Sequence, residues 1–285
     1  MEQKVLVNKI IPFSSVDGPG CRTAIFLQGC NIDCRYCHNP ETRKVCINCG
    51  LCVEKCPAHA LSFAEREGAR TVDWNQDLCC QCDTCIHVCP HDASPRVQWM
   101  TPEEVMEKVR KQIPCIRGIS VSGGECTLHP EFLTALFRLA KQDGLGTLID
   151  SNGMILFEDF PALCEVCDGV MLDIKAFDPE DYHRVTGADN TNVLRNALWL
   201  GHHGKLEEVR FVIVPDLYDT ERSVRASGEF LREVYAEHPF RIKLIAYRPM
   251  GVREQYSHYE VPSQAYLGQL RDLLTGMGYQ DIVLI

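Results

Sequence analysis

A chain of 285 residues, 45% hydrophobic and 24% charged with no low-complexity tract, has a soluble globular balance and length enough for one large barrel or two ordinary domains. Its formal net charge of -10 excludes a sequence-independent grip on nucleic acid, which needs Lys and Arg to displace counterions from phosphates. Glu2, Lys4 and Lys9 interrupt the first ten residues ahead of Pro12, and no apolar span of about twenty residues follows, so no signal peptide and no membrane partner is expected and the chain is placed in the cytoplasm. Thiols stay reduced there, so seventeen cysteines speak for metal rather than disulfides.

In chain order, the first expected strand spans residues 23–28. Just beyond it, after Gly29, comes Cys30-x3-Cys34-x2-Cys37. Three thiolates suit three corners of an iron-sulfur cubane and leave the fourth iron open to a small ligand, as a catalytic metal site keeps one position free. Zinc or a fully ligated structural cluster is the alternative reading of the spacing.

Residues 42–98 form a different kind of block. Cys46-x2-Cys49-x2-Cys52-x3-Cys56-Pro57 recurs 33 residues later as Cys79-x2-Cys82-x2-Cys85-x3-Cys89-Pro90, with Ala60 and Ala93 at matching offsets. This is the run of a two-cluster ferredoxin, in which the fourth cysteine of each run ligates the other cluster. Crossed ligation then groups Cys46, Cys49, Cys52 and Cys89 on one cluster and Cys79, Cys82, Cys85 and Cys56 on the other. Paired zinc sites are the alternative, and Cys80 competes with Cys79, which the spacing favours. Few large apolar side chains lie in the block, so metal is its expected staple. Cys21, Cys115, Cys126, Cys164 and Cys167 read as buried small hydrophobes.

From residue 99 apolar runs alternate with amphipathic stretches. Strands are expected at 118–121, 145–149, 169–174, 209–214 and 242–246, and helices at 101–112 (Thr101 as N-cap, Pro102 first), 130–142, 192–202, 223–237 and 263–277. Six strands with helical crossovers define an α/β fold, a partial (β/α)6 barrel. Residues 1–41 supply its first strand and cluster loop, 42–98 an inserted ferredoxin-like module, and 99–285 the rest. Ser122-Gly123-Gly124-Glu125, Asp150-Ser151-Asn152 and Met171-Leu172-Asp173-Ile174-Lys175 fall at the carboxyl ends of successive strands, where active sites of such folds collect. Paired glycines admit a close ligand, although a turn explains them equally, and an Asp at a strand end also serves as a helix cap.

The loop Cys30-Asn31-Ile32-Asp33-Cys34-Arg35-Tyr36-Cys37-His38-Asn39-Pro40 resembles the cluster loop of radical S-adenosylmethionine (SAM) enzymes. Preceded by Asp17-Gly18-Pro19-Gly20-Cys21-Arg22-Thr23 and Phe26-Leu27-Gln28-Gly29, it is similar in particular to the glycyl radical enzyme activases, in their YjjW-like branch with a two-cluster insertion. The resemblance implies three 4Fe-4S clusters, SAM, and reductive cleavage to a 5'-deoxyadenosyl radical that takes hydrogen from a glycine of a cognate glycyl radical enzyme. It implies SAM contacts from Tyr36, Cys37, His38, Asn39, Gly123, Gly124, Glu125, Asn152, Lys175 and Arg210, and a monovalent cation held by Asp150, Ser151, Met171 and Asp173. Where the family often has His after its last strand, this chain has Arg248, a permanent cation that would pair with a carboxylate or stack on adenine. A ferredoxin or flavodoxin reductant and a monomeric state are expected. Competing functions are a radical SAM enzyme acting on a small molecule or peptide, and an electron carrier without SAM turnover.

Overall fold

The computed structural model describes residues 3–66 and 68–285. Its strands are β1 (Val5–Ser14), β2 (Arg22–Leu27), β3 (Leu61–Arg66), β4 (Ala69–Trp74), β5 (Gln98–Met100), β6 (Gly118–Gly123), β7 (Gly146–Ser151), β8 (Gly169–Asp173), β9 (Leu206–Ile213), β10 (Arg241–Ala246) and β11 (Ile282–Leu284). Nine of them form one sheet in the order β11-β10-β9-β8-β7-β6-β2-β1-β5. From β11 to β2 neighbours are parallel; β1 runs antiparallel to both β2 and β5.

The six expected strands are β2 and β6 to β10. Every residue of β2 is buried, as a parallel strand covered on both faces requires. β1 was not among the expected strands: its apolar run is broken by Asn8, Lys9 and Pro12, and register shifts at Val7/Lys9 and Ile11/Ser14 absorb the interruptions.

The connecting helices are α1 (Thr84–His87), α2 (Pro102–Arg110), α3 (Pro130–Gln142), α4 (Pro161–Val166), α5 (Pro179–Thr186), α6 (Thr191–His202), α7 (Thr220–Phe230), α8 (Arg232–Glu237) and α9 (Gln264–Gly276). Thr101 caps α2 in a reciprocal box: Glu104 N donates to Thr101 Oγ1 and Thr101 N donates to Glu104 Oε2. The helix expected at 223–237 begins earlier, where Asp219 Oδ1 accepts from Arg222 N, and divides at Leu231. α5 was missed; Asp178 caps its start and Gly187, at φ +72°, ends it.

One large apolar core lies between the sheet and these helices, while among the described residues of the cysteine-rich block Cys52, Leu61 and Cys85 form a small buried cluster of their own. Because β2 and β6 to β10 run the same way, Leu27, Gly123, Ser151, Asp173, Ile213 and Ala246 end on one edge of the sheet. Among the described residues no helix is long and apolar enough to cross a membrane.

Candidate active site

The loop carrying Cys30, Cys34 and Cys37 is held on three sides. Gly29 N donates to Thr42 O at 2.7 Å and Cys30 N to Arg43 O at 2.8 Å, closing its base. Asp33 N and Arg35 N donate to the carbonyls of Thr186 and Val185, each at 2.9 Å, so the loop satisfies two carbonyls that the end of α5 leaves open. At the end of β7, Asn152 Nδ2 donates to Asn31 Oδ1 at 2.9 Å and stands 3.8 Å from Cys30 Sγ. Burial pushes the Cys30 thiol up to about 11 and the Cys34 thiol up to about 12. Such thiols become thiolates only beside a strongly positive centre, which fits iron.

Polar side chains gather at the strand ends above this loop. Asp150 Oδ2 accepts from Ser122 Oγ at 3.0 Å and from Arg210 Nη1 at 2.7 Å, and Arg210 Nη2 lies 3.0 Å from Met171 Sδ. Lys175 pairs with Asp173 at 2.5 Å and lies 6.0 Å from the Tyr36 ring. Burial opposes the Lys175 charge, yet Asp173 and Cys34 raise its pKa well above the ordinary value. Burial likewise lifts the Asp150 carboxyl, against the pull of Arg210. In this structure Arg210 and Lys175 balance the two carboxylates proposed to hold a cation.

Several of the residues expected to contact SAM also have partners within the protein. Glu125 is 1% exposed, and its carboxylate accepts from Thr127 N, Thr127 Oγ1, Ser151 Oγ and Asn152 N, so protein donors occupy it. A Cβ on Gly123 would lie 2.2 Å from Leu27 O, and one on Gly124 2.0 Å from Gly29 O. Backbone packing, of Gly123 against the end of β2 and of Gly124 against the base of the cluster loop, therefore requires both glycines, independent of any ligand. Asn39 O accepts from Thr42 N and Oγ1. Arg248 is exposed and reaches the site through its carbonyl, 3.0 Å from His38 Nε2.

The block between β2 and β5 holds the other eight ligand candidates in two recesses. Cys46, Cys49, Cys52 and Cys89 line one; Cys56, Cys79, Cys82 and Cys85 line the other, with Cys80 at its rim. Left-handed backbone conformations recur at the 33-residue spacing of the cysteine runs: Asn48 with Gln81, Gly50 with Asp83, His59 with Asp92. Turns of this kind aim backbone N–H groups at sulfur, as in Asn48 N to Cys46 Sγ at 3.4 Å and Ala60 N to Cys56 Sγ at 3.3 Å. Among the described residues no three His, Cys, Asp or Glu side chains converge where a single ion would sit. A cubane asks for a different arrangement, with each thiolate on its own iron.

Of the remaining cysteines, Cys126 and Cys167 are buried and donate to backbone carbonyls, Cys21 and Cys164 are half-buried, and Cys115 is exposed rather than the buried hydrophobe expected. Sequence patterns also missed two charge networks. Arg43 and Arg253 share Asp33 and Asp92 beside the cluster loop, joining segments with no local signal in common. Under Arg210, Glu208 Oε1 accepts from Arg210 Nε at 2.5 Å and from Lys243 Nζ at 2.8 Å. There a signal existed: Glu208 and Arg210 share one face of a strand that ends in an apolar run.

Fold and cysteine loop together define the class, since the family model of the Radical SAM superfamily matches residues 24–231. The pyruvate formate-lyase-activating enzyme of Streptococcus mutans is 31% identical over 252 residues, 86% of this chain and 78% of that one. The choline trimethylamine-lyase activating enzyme of Oleidesulfovibrio alaskensis is 31% identical over 275 residues, 88% and 86% of the two chains. The crystal structure of QueE from Escherichia coli superposes with a TM-score of 0.57 at 14% identity, covering 99% of this chain and 94% of QueE, a likeness of fold alone. The chain belongs to the radical SAM superfamily and, within it, to the glycyl radical enzyme activating enzymes.

Proposed function

We propose that this chain installs a glycyl radical on a partner enzyme and that its parallel strands form a partial (β/α)6 barrel, interrupted at 42–98 by a ferredoxin-like module. When bound, a 4Fe-4S cluster and SAM supply reductive cleavage of the sulfonium and a 5'-deoxyadenosyl radical that takes hydrogen from the partner's glycine. Cys30, Cys34 and Cys37 hold three corners of that cluster. Lys175 and Arg210 face the polar groups of SAM, with Tyr36, His38 and Asn39 on the adenosine side, and Asp150, Ser151, Met171 and Asp173 flank a monovalent cation. The observation that carries the reading is the placement of three cysteines of one loop, anchored by α5 and Asn152, at the sheet edge where Asp150, Lys175 and Arg210 gather.

The module is read as two further 4Fe-4S sites with crossed ligation. Recesses lined by the two crossed sets of four support this, as does the repeated left-handed backbone. It would relay electrons from a ferredoxin or flavodoxin, and the chain is read as a monomer.

Anaerobic mixing with SAM, a reductant and a candidate glycyl radical enzyme is expected to give a glycyl radical signal in electron paramagnetic resonance (EPR). Reduction products of SAM without a partner radical would instead favour a small-molecule or peptide substrate. Replacing Cys82 and Cys85 should slow SAM cleavage with the protein donor and spare it with dithionite; rates unchanged from wild type with both donors would end the relay reading in favour of docking.

A further inference from the structure

The two recesses of the module share a backbone plan but differ in charge. The Cys56, Cys79, Cys82, Cys85 recess is also lined by Trp74 and Arg96. Among the described residues Trp74 Nε1–H is buried without a hydrogen-bond partner, and it and the Arg96 guanidinium share the wall of this recess with Cys79. Asp83 Oδ1 accepts from Arg96 Nη2 at 2.5 Å, which fixes the guanidinium on the recess that Cys79 and Cys85 line. Among the described residues no Lys or Arg lines the other recess, where His91 stands at the position equivalent to Ala58. Arg43, three residues before Cys46, is bound to Asp33 and Asp92, and Arg66, which borders a neighbouring cavity with Cys46, is bound to Asp73.

A one-electron reduction makes an iron-sulfur site more negative, with no bond made or broken. A fixed cation and an N–H donor beside a ligand sulfur stabilise the reduced state and raise the potential. We propose that Arg96 and Trp74 make the site at Cys56, Cys79, Cys82 and Cys85 the more easily reduced of the module's two, so that an electron from a ferredoxin- or flavodoxin-class donor rests there first. This deepens the relay reading and depends on both recesses being 4Fe-4S sites.

The test is a potentiometric titration of the full chain, reconstituted anaerobically, followed by EPR with SAM present to set apart the third signal. Iron content is measured alongside. Wild type is expected to contain iron for three cubanes and to show two distinct module midpoints. Arg96→Gln and Trp74→Phe should each move the higher midpoint negative and leave the lower in place. Asp83→Asn, which suits the left-handed conformation at φ +59°, should move the higher midpoint positive. Should Arg96→Gln fail to bind its iron, Trp74→Phe and Asp83→Asn decide. Three cubanes with coincident midpoints, or with midpoints indifferent to these substitutions, would overturn the proposal alone; iron for one cubane would overturn the reading of the module with it.

Discussion

Arg253 Nη2 donates to the Cys34 carbonyl oxygen at 2.9 Å, joining residues 219 positions apart in sequence. The same guanidinium pairs with Asp33 at 2.5 Å and Asp92 at 3.6 Å and lies 4.8 Å from the Tyr256 ring. One side chain therefore clamps the cluster loop, the module and the segment after β10. Arg253→Ala should lower stability by about 2 kcal/mol, the scale of hydrogen bonds to a charged donor, because Arg43 still compensates both carboxylates. It should also broaden the EPR response of the reduced cluster to SAM. Lys lacks the fork that serves three acceptors at once, so Arg253→Lys indistinguishable from wild type in both measurements would refute the clamp.

Glu125 separates a structural role from a ligand contact. With four protein donors on its carboxylate, Glu125→Ala strands buried N–H and O–H groups at the ends of β6 and β7. A loss on the order of 3 kcal/mol in urea unfolding is expected. A variant of unchanged stability that merely binds SAM more weakly would show that Glu125 acts on the ligand instead.

The glycines divide by what surrounds them. Gly124→Ala forces a Cβ to within 2.0 Å of Gly29 O and 2.8 Å of Thr42 O, so it should displace the cluster loop and reduce bound iron. Gly268, inside α9 with nothing within 4 Å of its Cβ position, is the control. Gly268→Ala should stabilise the fold by about 0.5–1 kcal/mol through helix propensity, with iron unchanged. Equal iron content in the two variants would contradict the packing account.

These cases show which links were legible in sequence. The cysteine spacings and six core strands could be read directly because ligand geometry fixes the former and continuous apolar runs mark the latter. The duplication reappears in backbone angles at Asn48 and Gln81, since the turn after each leading cysteine has the same task. β1 and α5 were hidden because bulges and a short polar helix blur periodicity, and the clamp at Arg253 was hidden because distant pairing leaves no local pattern. Glu125 was visible as a residue but not in its role: only the fold reveals that its donors come from Thr127, Ser151 and Asn152.

Asp168 predicts a pH dependence away from the site. Burial would raise its carboxyl pKa, but the Lys141 ammonium and Thr147 N–H outweigh burial and hold it below the ordinary value. Thr147 N donates to Oδ2 at 2.8 Å. A carboxylate depressed in the folded state stabilises fully above its unfolded pKa of about 3.9 and loses that contribution as pH falls through the lower folded value. Asp168→Asn should therefore be less stable than wild type at neutral pH, and the gap should close towards pH 3 or below. Urea midpoints compared across that range test it, and a gap that widens on acidification would reverse the sign.

The ambiguity between Cys79 and Cys80 yields the last prediction. Both sulfurs border the same recess, but Trp74 and Arg96 act on Cys79, whereas Cys80 is exposed and interacts with Cys82. A ligand sulfur must carry negative charge, and the neighbour supplied with donors bears it at lower cost. Cys79→Ser should therefore lose the iron of one cubane, while Cys80→Ser retains it with an unaltered EPR spectrum of the reduced module. If Cys80→Ser loses the iron and Cys79→Ser keeps it, the ligand set shifts by one residue and the spacing of the second run no longer matches the first. Loss in both variants would mean that Cys80 maintains the turn around Gln81 and Asp83, and denaturation midpoints would then fall in parallel with iron content.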